Sequence, residues 1–232
     1  MNKLSRKELK TDHFIEEVGH SVEYVSSHRK PFVWAGIGAV VLLVAGLGVY
    51  LFLQSGKAKR QEALGKAYAI QHATFGPSVP GGPPSSYPTA SVRDAAAQKV
   101  FGEVAAQYPN SEEGLIAKYF MAGYAANQSK WPDAEKLFQE VGNSASKETA
   151  SLARFGLSQV YAAQNKTAEA EKLLRTLADN PTSVVSKDQA QLSLARVLAK
   201  SNPAEAKKLL ETLKAGPSAV SRAALSAQAE MK

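Results

Sequence analysis

The chain has 232 residues, 44% hydrophobic and only 8% aromatic, with a formal charge of +7 and no cysteine. The length allows one or two domains with a real core. The missing cysteines exclude disulfides, zinc–cysteine sites, iron–sulfur clusters and thiol nucleophiles. Abundant alanine suits packed helices better than sheets, because alanine is the best helix former and a poor strand former.

The charge does not point to nucleic acid once it is divided along the chain. Residues 1–30 carry six Lys/Arg against five acids, residues 57–66 four against one, and residues 93–232 eighteen against fifteen. The excess lies mostly beside an apolar segment, where basic residues meet anionic head groups. No basic stripe with interleaved aromatics is present.

In chain order, residues 1–30 form a tail. Ile15, Val18, Val22 and Val25 recur at helical spacing behind Thr11-Asp12, a suitable N-cap, which predicts an amphipathic helix over 12–27 that lies on a membrane or a partner. His13, Glu17 and His20 share one face of it at metal-ligand spacing, but a hydrated polar face accounts for them and no metal site is assigned.

Residues 31–54 predict a transmembrane helix. No charge occurs from Pro31 to Gly56, and 32–53 (FVWAGIGAVVLLVAGLGVYLFL) is apolar almost throughout. At about 1.5 Å per residue it reaches roughly 33 Å, enough for a hydrocarbon core of about 30 Å. Trp34 at one end and Tyr50 and Phe52 at the other suit the interfacial belts. The run is too long for a cleaved signal peptide and lacks an A-x-A site, so it reads as an uncleaved signal anchor. Lys3, Arg6, Lys7 and Lys10 add to Arg29 and Lys30, which predicts a cytoplasmic N-terminus and an extracytoplasmic C-terminal part. Ala35 and Ala39 form a small-xxx-small pair suited to packing on another helix.

Residues 55–74 read as a juxtamembrane helix, and 75–92, opening FGPSVPGGPPSSYP, as a linker or loop that no regular helix survives. It contains two Pro-x-x-Pro matches, at Pro77 and Pro80.

From 93 to 232 the chain repeats. AQKVFGEV, AEKLFQEV, AEKLLRTL and AKKLLETL begin at Ala97, Ala134, Ala170 and Ala206. Four residues after each Ala stands Phe101, Phe138, Leu174 or Leu210, and seven after it Val104, Val141, Leu177 or Leu213, all on one helix face. Pro109, Pro181 and Pro217 follow three of the four. Further helices are predicted at 112–126, 147–163 and 187–200, joined to the segments by NQSKWPD, QNKT and KSNP. Such hairpins expose apolar surface on two sides and must stack to bury it, which predicts an all-α solenoid behind a single membrane helix.

The pattern resembles the tetratricopeptide repeat. Ser158, Tyr161, Ala170, Leu174 and Pro181 follow it best; the preceding unit has Ala122, Ala134 and Phe138 with Tyr124 shifted by one, and the next has Leu194 and Val197 in place of a small residue and an aromatic. The opening RKELKTDHFIEEV, one span and the repeats are similar to the bacterial inner-membrane proteins with a tetratricopeptide-like domain, among them the ancillary Sec translocon subunit family. That resemblance implies an inner-membrane protein with its repeats in the periplasm and other proteins as partners. By the same analogy Tyr119, Asn127, Phe155, Gln159 and Gln191 line the binding groove.

No catalytic arrangement is evident. GIGAVV at Gly36 lacks a third glycine, P-loop, H-E-x-x-H and G-x-S-x-G motifs are missing, and all four histidines precede the repeats. Glu112, Glu113, Glu169 and Glu171 sit at predicted helix starts, where acids favour the dipole. The chain is therefore expected to be a non-enzymatic scaffold, without cofactor, metal or small-molecule substrate, that holds envelope or client proteins. The alternative is a fixed accessory subunit of a larger membrane complex, docked through the span and the tail.

Overall fold

The structure, a computed structural model, describes residues 29–76, 86–144, 146–215 and 219–230. The expected tail helix with His13, Glu17 and His20, and the Pro-x-x-Pro matches, fall outside the described residues, as does Pro217. The chain divides into two compact units, Met1–Ala58 and Lys59–Lys232.

The helices are α1 (Arg29–Gln71), α2 (Ala90–Gln107), α3 (Glu112–Asn127), α4 (Trp131–Gly142), α5 (Lys147–Ala163), α6 (Thr167–Asp179), α7 (Lys187–Ser201), α8 (Pro203–Lys214) and α9 (Ala219–Glu230). No strand occurs among the described residues, which hold only an isolated bridge between Phe75 and Tyr87.

In the first unit, α1 carries the apolar run. Trp34, Leu42 and Leu43 are 72%, 74% and 73% exposed. This helix is long and apolar enough to cross a membrane.

In the second unit, consecutive helices from α2 to α9 pack as neighbours. The repeated alanines are fully buried: Ala97, Ala134, Ala170 and Ala206 are all 0% exposed. Beside them Phe101, Phe138, Leu174 and Leu210 are buried, and Tyr161 is half-buried against the cluster holding Ala134 and Phe138. The helix starts follow a rule. Ser111, Ser146 and Ser186 cap α3, α5 and α7 by accepting from the backbone N–H three residues on, satisfying an orphan donor. The turns into α4 and α6 are alike too. Ser129 (φ 57°) and Asn165 (φ 60°) adopt the left-handed conformation, and the N–H groups of Lys130 and Lys166 donate back to Ala125 and Tyr161. These are Schellman closures, which reverse the chain within a few residues.

A polar ladder joins each hairpin to the next. The position after the alanine is used in the first three repeats, by Gln98, Glu135 and Glu171: Gln98 accepts from Gln128 at 3.2 Å, and Glu135 accepts from Gln164 at 2.6 Å and Lys166 at 2.7 Å. One turn on, Arg175 joins Glu171 on its own helix to Glu205 on α8.

The division expected from the sequence moves at one end. Residues 55–74 were set apart from a repeat domain beginning at 93, but the second unit begins at Lys59. Leu64 and Ala67 of α1 are buried in one core with Ala97, Phe101, Val104 and Ala117. Tyr68 stands edge-on to Phe101 at 5.9 Å and Phe120 at 5.3 Å, and Arg60 donates to the buried Glu113 at 3.1 Å. The proline-rich stretch has its ends tied, since Ser86 and Tyr87 N–H both donate to the Thr74 carbonyl. Residues 59–71 and α2 therefore form a first hairpin, and the stretch between them is its connection. The reason is apolar burial: α2 alone would leave Phe101 uncovered.

The array is not uniform. α3 packs directly on α5 and α7 on α9, whereas α5 reaches α7 mainly through Leu152 and Phe155. The segment before α7 fills the wider interval. Val185 in it is 0% exposed, and Thr182 bonds Ser151 at 2.8 Å.

Two substitutions test this packing. Ala170→Leu forces a larger side chain into a closed junction and should lower stability by about 1–3 kcal/mol; an unchanged urea midpoint would contradict the close approach. A Cβ on Gly156 would lie 2.6 Å from Phe138 Cε1. Because Phe138 is only 4% exposed its ring has little room to retreat, so Gly156→Ala should cost about 1–3 kcal/mol in the same assay.

Candidate partner-binding groove

Side chains on one face of α3 recur as Tyr119/Phe120, Gly123/Tyr124 and Ala126/Asn127, and on α5 as Leu152, Phe155/Gly156, Gln159/Val160 and Ala163. Spacings of three, four and seven place each set on a single stripe. The two stripes, with Gln71 of α1, Trp131 and Phe138 of α4 and Gln189 of α7, enclose a groove of about 540 Å³. Gly156 lets Phe138 approach the α5 backbone, so the groove is aromatic on that side.

The lining contains no Asp, Glu, Lys, Arg or His. Its two tyrosine hydroxyls stay neutral at physiological pH. Burial pushes both Tyr119 and Tyr124 above the usual phenol range, and Asp94 adds to this at Tyr124. The polar groups that remain are carboxamides. Those of Gln71, Asn127, Gln159 and Gln189 make no side-chain hydrogen bond to the protein, and Gln71 Oε1 and the Tyr124 hydroxyl are buried without a partner.

Gln159 also borders a second cleft, of about 250 Å³, in the wide interval between α5 and α7, with Ser158, Ala162, Leu174, Ser193, Arg196 and Val197 around it.

Of the residues expected in a groove, Tyr119, Asn127, Phe155 and Gln159 line it together. Gln191 does not; it is half-buried on α7, and Gln189 takes its place. Two residues turn a helix by about 200°, so the pair face different ways. Tyr119 and Phe155 serve twice. Tyr119 packs edge-on to Phe120 and Phe138 at 5.5 and 5.7 Å, and Phe155 wedges against the clusters around Leu194 and Val185. Sequence reasoning missed Gln71, Phe120, Tyr124, Trp131 and Gln189. Phe120 and Tyr124 were within reach, one and five residues beyond Tyr119 on the same stripe. Among the described residues no group of three His, Cys, Asp or Glu could hold a metal ion.

No curated protein and no solved structure matches the chain. The model of one family does match: residues 32–182, well over half of the 232, fit the Tetratricopeptide repeat-like domain. Such domains generally mediate protein–protein interaction and are typically non-catalytic. With its capped helical hairpins, closed alanine junctions and groove along one helix face, the chain belongs to the tetratricopeptide repeat-like domain family.

Proposed function

We propose that the chain is a membrane-anchored adaptor that holds another protein in the groove between α3 and α5. The observation that carries this reading is the groove's lining, an uncharged aromatic surface with hydrogen-bonding groups left unused. Polar side chains without partners in a concave apolar site are what a binding surface keeps ready.

Anchoring is supported by the apolar face of α1. Burying a leucine-sized side chain is worth about 1.5–3 kcal/mol, and α1 leaves many such side chains uncovered, Leu42 and Leu43 among them. A lipid bilayer satisfies them together. The six basic residues of the tail favour a cytoplasmic N-terminus and an extracytoplasmic array. The resemblance to inner-membrane proteins, including the ancillary Sec translocon subunits, favours the bacterial inner membrane, with the array in the periplasm and envelope or client proteins as partners.

One feature favours the second reading, a fixed subunit docked through its span. Gly36, Gly38, Gly46 and Gly48 are small residues along the apolar run, the kind that lets a neighbouring helix approach closely.

Photo-cross-linking in native membranes tests the adaptor reading. A probe at Asn127 or Gln159 should capture protein partners, and one at Lys136 on α4, outside the groove, should not; equal capture from all three would contradict a groove-based role. Replacing residues 12–53 by an unrelated signal anchor separates the two readings. An adaptor keeps its cross-links, and a fixed subunit loses its association.

A further inference from the structure

The buried side chains of the second unit do not form one continuous core. We infer that the array is two rigid halves hinged at the seam between α5 and α6, with the Ser151–Thr182 hydroxyl pair as the latch that holds the seam shut.

A helix that puts buried residues into two clusters welds them together. α3 does so, with Ala117 in the core around Phe101 and Ala122 and Ala125 in the core around Phe138. α7 does so too, with Leu194 and Leu198 in one cluster, Ala190 in a second, and Leu192 and Ala195 in a third. Between α5 and α6 the clusters of the described residues part. Ala153, Leu157 and Val160 of α5 are buried with α3 and α4, whereas Leu174, Leu177 and Ala178 of α6 are buried with α7 and α8. The apolar side chains that cross are half-buried: Leu152 and Phe155 reach over from α5, and Leu173 reaches back from α6. A stack of repeats gives way first at such a place, since each half keeps its own core when the two part.

The two ends of the seam differ. Near the turn, Ser158 and Ala170 are closed off from water, and Glu135 holds the turn itself through Gln164 and Lys166. That end is the pivot. At the other end the tie is a pair of hydroxyls 2.8 Å apart. Ser151 spends its proton on the Glu148 carbonyl, so Thr182 donates to Ser151 while accepting from the Val185 N–H. Thr182 N–H donates in turn to the Val185 carbonyl, which keeps this segment folded on the second half whether or not Ser151 is engaged. A neutral hydrogen bond is a weak tie at the end of a long lever. The 13 residues of α6 make that lever about 20 Å long, so a swing of roughly ten degrees moves its far end by about 3.5 Å.

Leu152 and Phe155 line the groove from one half and Gln189 from the other. The swing therefore sets the groove's width at its α7 edge and leaves the part between α3 and α5 unchanged. The cleft of about 250 Å³ lies across the same seam, with Ser158 and Ala162 on one side and Ser193 and Val197 on the other. A few residues at the end of an element suffice for a hinge of this kind.

The test is electron–electron distance measurement on the full chain in lipid nanodiscs, made simple by the lack of native cysteine. Spin labels go on exposed residues in pairs: Asn110 with Lys147 inside the first half, Lys187 with Arg222 inside the second, and Lys147 with Lys187 across the seam. The distance distribution across the seam should be at least about twice as wide as the other two, as a swing of that size requires. Ser151→Ala, which removes the latch and leaves the Thr182–Val185 turn intact, should widen it further and leave both controls as they were. Three equally narrow distributions would overturn the inference. So would equal broadening of all three, which is uniform flexing of the array and not a hinge. A seam distribution indifferent to Ser151→Ala would overturn the latch.

Discussion

The second unit depends on how closely two helices can approach at one repeated position. Ala97, Ala134, Ala170 and Ala206 have no exposed surface at all. A side chain no larger than a methyl group is what each of these closed positions holds, and the larger residues four and seven further on are buried beside it. A hairpin built this way still leaves apolar surface on its outer flank. Only the next hairpin covers it, so stability belongs to the stack and not to any one repeat. The polar ladder starting one residue after the first three of these alanines ties successive hairpins together, from Gln98 to Gln128, from Glu135 to Gln164 and Lys166, and from Glu171 through Arg175 to Glu205.

From this constraint the groove follows. Once α3 and α5 are held side by side, their stripes at spacings of three, four and seven must face the same opening. Gly156 admits the Phe138 ring to its wall. The wider interval between α5 and α7 extends the surface past Gln159 to the second cleft. That irregularity has a visible cause in the segment before α7, where Val185 is buried as a spacer between helices.

Much of this was legible in the sequence because it rests on local periodicity. The alanine-led segments and the helices before them are found where the spacing put them; 147–163 coincides with α5, and 112–126 and 187–200 each fall one residue short of α3 and α7. What escaped needed contacts between distant residues. Leu64-Gly65 and Tyr68 carry the Leu-Gly-x-x-Tyr signature of a first repeat helix. The adjoining apolar run and the proline-rich stretch after it disguised them as a juxtamembrane rod and a linker. Only burial of Leu64 and Ala67 against Phe101 shows that they open the array. Gln191 was placed in the groove by family position, yet a two-residue difference on a helix reverses the face, and Gln189 lines it instead. Tyr119 and Phe155 border the groove and also pack against the core clusters. They do both because a side chain at the floor of a groove is also the roof of the packing beneath it.

The absence of cysteine allows a direct look at whether the groove is occupied where the protein works. Single cysteines introduced as Asn127→Cys, Gln159→Cys and Lys136→Cys can be labelled with a membrane-permeant maleimide, in native membranes and again after purification. A groove that holds a partner predicts slow labelling at 127 and 159 in membranes, relieved on purification, with 136 equally fast in both. Fast labelling at all three positions in membranes would contradict the account.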